Sequence, residues 1–224
     1  MCHIVAGKAI EQAEAEVKTK LHTAFNLAEV IKAIACEQQD DRLLEILLAH
    51  FVVKCPFVIP QYIGVKCGES RVSYLRRLGY RVSKDTASSS SPSSSAGWKT
   101  EDDRMYHERM CGILGLYAAL TQASVGGTRP DLYPITHAWV WLARITNMRS
   151  NPFTPTLIQT FLEVAGQPLL NAYPNQAPKL VNAIIQKLPE MQSLDHPIAK
   201  SGVSRLQNYL EKYMGTRQLE SARQ

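Results

Sequence analysis

The chain has 224 residues, 45% of them hydrophobic and 20% charged, with a net charge of +5. This composition supports one large domain or two small ones around a sizeable core, and it excludes a disordered or histone-like chain. Five widely spaced cysteines without a C-x-x-C pair exclude a disulfide scaffold and a zinc site of ordinary spacing; they fit a reducing, intracellular compartment. Met1-Cys2-His3, then Lys8 and Glu11, Glu14 and Glu16, do not make a signal peptide, and no run approaches eighteen apolar residues, so no membrane span is expected.

A first helix is predicted over 4–20, with Glu14 and Lys18 as an i,i+4 pair. No capping residue precedes it, which suggests a fragment or a truncated start. A second helix covers 25–36, with Leu27, Val30, Ile31 and Ile34 on one stripe. Asp40-Asp41 signal the start of a third, in which Leu43, Leu44, Leu47, Leu48, Phe51 and Val52 recur at helical spacing until Pro56 stops it. Residues 55–68 read as extended or irregular, with Val58, Ile59, Tyr62 and Ile63 as candidate buried positions. A short helix over 69–78 ends at Gly79. Ser88–Ser91, Pro92 and Ser93–Ser95 are too poor in apolar side chains to fold, so 85–100 reads as a disordered loop insert with Trp98 as its re-entry anchor.

Five more helices are predicted over 103–123, 136–148, 154–172, 178–191 and 200–214. Their cores hold Met110, Ile113, Leu114, Tyr117 and Leu120, then Trp139, Trp141, Leu142 and Ile145, then Leu157, Phe161, Leu162, Val164 and Leu169. Valine and isoleucine fall at helical rather than alternating spacing, so no sheet is needed. The fold class is all-α, a stack of paired helices with one irregular basic segment.

That segment is the chemical signal. Lys54, Lys66, Arg71, Arg76, Arg77, Arg81 and Lys84 face one acid, Glu69, on backbone broken by Pro56, Pro60, Gly64, Gly68 and Gly79. It is either a solvated surface or a site for an anionic partner. Arg71, Arg76, Arg77 and Arg81 with Tyr74 and Tyr80 would suit single-stranded RNA, unless the tyrosines pack inward beside Leu75 and Leu78. Lys54, Arg81 and Arg109, from separate elements, would instead suit a compact polyphosphate. No nucleotide loop, zincin or nucleophile-elbow motif is present. His107 reads as a surface histidine, His137 as a satisfied core histidine, and Cys55, beside Lys54, as a structural corner rather than a nucleophile.

The segments VKCPFVIP (53–60), LGYRV (78–82), ERMCGILGLYAAL (108–120), HAWVWLARITNM (137–148), FLEVAG (161–166), NAYPNQAPKL (171–180) and RLQNYLEKYM (205–214) occur in this order. Together with IVAGKAIEQAEAEV (4–17) they resemble the C-terminal domain of the nuclear-pore mRNA-export mediator of the GLFG-lethal family. The resemblance implies a single helical, HEAT-like domain over 1–224, similar to the middle domain of translation-initiation scaffolds. It implies a non-enzymatic activator of a DEAD-box RNA helicase at the cytoplasmic face of the nuclear pore, with an FG-repeat nucleoporin as a second partner. Translation initiation and termination factors are further partners it allows, and direct nucleic-acid binding is not part of the leading reading. Fungal members bridge helicase and activator with inositol hexakisphosphate. Carried over residue by residue, the pocket would comprise Lys54, Arg81 and Arg109, which keep positive charge; His50, at a position usually basic in fungi; and Lys8, at or beside another basic position. Val53 replaces the first lysine of a Lys-Lys pair, and Glu11 stands where fungal members carry a basic residue. Inositol hexakisphosphate is therefore not required and is expected to bind weakly or not at all.

Overall fold

In the computed structural model the described residues are 1–37, 42–61, 63–84, 98–123 and 131–223. Helix α1 (Cys2–Gln12) runs directly into a π-helical turn (Ala13–Val17). Ala6, Ala9, Ile10, Ala13 and Val17 form one buried stripe across both. The wider π turn changes which side chains share a face. The Glu14–Lys18 pair expected from α-helical spacing does not form, and Glu14 turns inward to two arginines.

Helices α2 (Thr23–Glu37) and α3 (Arg42–Lys54) complete the first layer, with α1 packed along α3. Leu43, Leu47 and Phe51 fill the core, but Val30 of the expected stripe is 55% exposed. On α2 the buried line runs through Ala24, Phe25, Ala28, Ile31 and Ala35, one position off the line drawn from the bulkiest residues. Helix α4 (Arg71–Arg77) starts where the Ser70 hydroxyl accepts the Ser73 N–H at 3.2 Å. It ends in a Schellman turn: Gly79 at φ +85° lets Tyr80 N–H reach Leu75 O at 3.0 Å and Gly79 N–H reach Arg76 O at 2.9 Å.

A short ribbon corrects the expectation of no sheet. Strand β1 (Val82–Lys84) pairs antiparallel with β2 (Trp98–Thr100), in the register Val82 to Thr100. The end of the serine-rich insert is therefore ordered, whereas residues 85–97 lie outside the described residues, as does Tyr62. Trp98 is half-buried, with the Arg76 guanidinium 4.7 Å from its ring centroid.

Helix α5 (Asp103–Leu120) is the central element, packed on the π turn, α2 and α7 (Thr154–Ala172). Asp102 caps it, accepting from Arg104 N–H at 3.0 Å. It stops at Leu120, three residues short of expectation, where Thr121 Oγ1 donates back to Ala118 O at 2.7 Å. From Tyr106 to Leu120 only Glu108 and Cys111 are not buried, as expected of a helix enclosed on all sides. Helices α6 (Ile135–Asn147), α8 (Ala177–Gln192) and α9 (Pro197–Thr216) close the stack. Trp141 stacks on Phe161 at 4.0 Å and donates its indole N–H to Phe57 O at 2.7 Å. That bond anchors the irregular 55–60 stretch, where Val58 is buried and Ile59 remains 37% exposed. No helix among the described residues is long and apolar enough to cross a membrane.

Candidate functional site: a basic strip with internal carboxylates

The five singled-out basic positions come from four parts of the chain. Packing of α1 on α3 places Gly7 beside the His50 ring, whose centroid is 5.9 Å from that of His3. Lys8, one residue on, is exposed and pairs with Glu11 at 2.6 Å. That bond and the ammonium charge hold the Glu11 carboxyl below its ordinary range, and Lys54 adds a smaller attraction. Lys54, at the end of α3, is exposed, and its carbonyl oxygen would lie 3.1 Å from a Cβ on Gly79. Gly79 thus serves both the turn and the close approach of Lys54.

Beyond Gly79 the strip continues through two carboxylates. Glu14, from the π turn, receives Arg81 Nη2 at 2.5 Å on one oxygen and Arg109 Nη1 at 3.2 Å on the other. Glu101 takes Arg109 in a bidentate pair at 3.0 and 2.6 Å and accepts the Arg81 N–H at 3.2 Å. Arg109 Nη2 also donates to Gly79 O at 2.8 Å. The structure therefore brings Lys8, His50, Lys54, Arg81 and Arg109 into one neighbourhood, but in two kinds of place. Lys8, Lys54 and Arg81 are exposed and His50 half-buried, whereas Arg109, read from sequence as a rim cation, has a side chain only 5% exposed. Burial opposes ionisation of both Arg109 and Glu101, but their bidentate pair outweighs it, holding the guanidinium up and the carboxyl down. Sequence reasoning missed Glu14 and Glu101. Four cations of this strip meet three carboxylates built into it.

The arginine-tyrosine segment is engaged internally as well. Arg77 forms a fork with Glu69 at 2.9 and 2.6 Å and donates to Gly64 O at 2.7 Å. The fork and the Lys66 N–H hold the Glu69 carboxyl at about 2. Tyr80 stacks face to face on Tyr106 at 3.8 Å and donates to Asp103 at 2.9 Å, while Tyr74 donates to Ile63 O at 3.2 Å. Both tyrosines are half-buried; Tyr106 takes one face of Tyr80 and the Tyr74 hydroxyl is tied to the backbone, so neither stands out as a free stacking platform for RNA bases.

Cys55 is fully buried, with its thiol pushed up to about 12 by burial, the opposite of an activated nucleophile. His107 corrects the surface reading. It is 7% exposed and stacked on Phe153 at 5.3 Å; burial first, and the Arg205 charge second, lower it to about 4. His137 is half-buried, edge-on to Tyr133. A histidine whose folded value lies below its unfolded value of 6.5 gives full stability above pH 6.5, lost as the pH falls towards 4. Urea denaturation of the His107→Phe variant should lack about 2–3 kcal/mol of the wild-type loss between pH 7 and 4.5. Parallel pH profiles of the two proteins would refute this.

The comparisons with known proteins point one way. The profile of the GLE1-like protein family matches residues 1–185. The mRNA export factor GLE1 of Rattus norvegicus is 31% identical over 220 residues, 96% of this chain, and that of Saccharomyces cerevisiae 29% identical over 218 residues. The chain spans 29% of the length of the rat protein and 37% of the yeast one. Two solved structures of the S. cerevisiae Dbp5 C-terminal domain bound to Gle1 and IP6 match at TM-scores of 0.80 and 0.78. Each is 27% identical, and the match covers 98% of this chain and 70% of the other. An all-α stack that superposes over nearly its whole length, with the family profile running from the first residue through α7 and into α8, leaves one assignment: the chain belongs to the GLE1-like protein family.

Proposed function

We propose that this chain is the helicase-activating domain of an mRNA-export factor, a non-enzymatic HEAT-like unit over residues 1–224 acting at the cytoplasmic face of the nuclear pore. Its main partner is a DEAD-box RNA helicase, and an FG-repeat nucleoporin docks on the same domain. The observation that carries this reading is the match along 98% of the chain to Gle1 in complex with the Dbp5 C-terminal domain and IP6. An activator of this kind works by population shift: it binds the open helicase more tightly than the closed one and so favours RNA release. In this chain Lys8, Lys54 and Arg81 face the partner, while Arg109 holds the strip together from beneath. The direct test is helicase ATPase stimulation by this protein, with and without inositol hexakisphosphate. Absence of stimulation in both conditions, by protein with native helical content, would sink the proposal.

The carboxylates of the strip set the expectation for the polyphosphate. Glu11 already engages Lys8, and Glu14 already engages Arg81. A bound polyanion would have to displace these partners and tolerate their charge. Weak or undetectable binding is therefore expected by titration calorimetry at physiological salt. The double substitution Glu11→Lys, Val53→Lys should tighten it by at least about tenfold, because each change adds a charge-assisted donor and one also removes a repulsion. Tight binding by the wild type would overturn the expectation of weak binding, and an unchanged affinity in the double variant would show that the strip does not hold the ligand.

A further inference from the structure

On the other side of α5 from Arg109 lies a cleft of about 570 Å³, bounded by the end of the π turn, α7 and the start of α9. His107 and Arg109, two positions apart on one helix, point about 200° from each other, so cleft and basic strip are separate surfaces. The size falls within the range of ordinary ligand sites.

Its polar groups are unevenly matched. Glu108 is engaged by Arg104 at 3.0 Å, and Glu163 by the Gln159 amide at 2.8 Å. The donors are less occupied. The Lys18 side chain, deprived of Glu14 by the π turn, has no ion-pair or hydrogen-bond partner among the described residues. Arg205 makes one 3.3 Å contact, to Thr156 Oγ1. His107, more than nine-tenths buried, has one ring nitrogen 3.6 Å from Cys111 Sγ and no partner among the described residues for the other. The first turn of the 20-residue helix α9 also borders the cleft and adds the positive end of its dipole. Leu21 and Ile198 supply an apolar wall beside these donors.

We propose that this cleft is a second binding site, one that takes an acidic-apolar peptide segment of a partner protein. One carboxylate sits among Lys18, Arg205 and His107, and the adjoining apolar side chain lies against Leu21 and Ile198. The volume exceeds that needed by a lone inorganic anion, and the apolar wall would be left unused by one. A doubly charged phosphoryl group would be repelled by Glu108 and Glu163 more than a single carboxylate is. Nucleic acid finds no free ring face, since His107 is stacked on Phe153. The inference does not depend on the helicase reading, because it uses neither the basic strip nor its ligand.

The test is a nuclear magnetic resonance titration of the isotope-labelled full chain with a blocked Leu-Glu dipeptide. Blocked Leu-Gln, blocked Leu-phosphoserine and a single-stranded oligonucleotide are run beside it. Leu-Glu should produce saturable shifts at the His107 ring and at the Cys111 and Thr160 amides, with Leu-Gln much weaker. Lys18→Glu and Arg205→Gln should each weaken binding by about tenfold, the effect of losing one charge-assisted hydrogen bond. Both side chains belong to exposed residues, and an otherwise unchanged amide spectrum verifies the fold of each variant. No shift at these positions, an equal response to Leu-Gln, or a stronger response to the phosphorylated or nucleic-acid probe would each overturn the proposal.

Discussion

Replacing Arg109 by methionine is expected to lower unfolding free energy by about 3–5 kcal/mol at pH 7, the cost of removing one partner from a buried ion pair. Its side chain is 5% exposed and holds two carboxylates, Glu101 at 7% and Glu14 at 12% exposure, as well as the Gly79 carbonyl. Methionine fills much of the volume but leaves those acceptors without their donor. The pH dependence identifies the cause. In the wild type the Glu101 carboxyl is held below its ordinary value, so its contribution is present above that value and is lost as the pH falls through the folded one. Without Arg109, burial of Glu101 is opposed only by the Arg81 N–H and the Arg81 charge, so its carboxyl rises from the wild-type value. The deficit of the variant should then be largest near neutrality and shrink as acid protonates Glu101. Urea denaturation at pH 7 and pH 5 measures both. A deficit below about 1 kcal/mol at pH 7 would mean that the pair behaves as a solvated surface bridge. Helicase stimulation should fall as well, since Glu14 then loses one of the two arginines that position it beside Arg81.

The helices were legible because their apolar residues repeat at helical spacing, and most ends fall within about three residues of the expected positions. The ribbon was not, because Val82–Lys84 and Trp98–Thr100 are three residues each, joined through a serine-rich stretch, and pairing across such a gap leaves no local periodicity. The site was legible as a set of charges and illegible as a set of pairs. Arg81 finds Glu14 sixty-seven positions away and Arg109 finds it ninety-five positions away, so the partner of each cation is decided by packing alone. One signal for Arg109 was available. It opens the unbroken apolar run Met110 to Leu120, and a cation there lies on a helix enclosed on every side, where it needs a carboxylate. His107 carried the same signal, four residues before Cys111 and three before Met110.

The geometry that makes these pairs depends on a glycine. A Cβ on Gly112 would lie 2.3 Å from Ala13 O and 3.0 Å from Lys18 N, both backbone atoms of the π-turn region, so no rotamer change can make room. Gly112→Ala should therefore push α5 away from the π turn and cost about 3 kcal/mol or more through overpacking, against a gain of only about 1 kcal/mol in helix propensity. Gly115→Ala meets the end of the Leu21 side chain at 2.7 Å, which can move, and should cost less. Gly215→Ala meets nothing within 4 Å and should stabilise by about 0.5–1 kcal/mol. Thermal or urea denaturation of the three variants should give that order. Because the π turn carries Glu14, Gly112→Ala should also weaken the hold on Arg81 and Arg109 and so reduce helicase stimulation, whereas Gly215→Ala should leave it unchanged. A neutral Gly112→Ala would mean that α5 and the π turn do not touch at backbone distance, and the placement of Glu14 between the two arginines would fall with that contact.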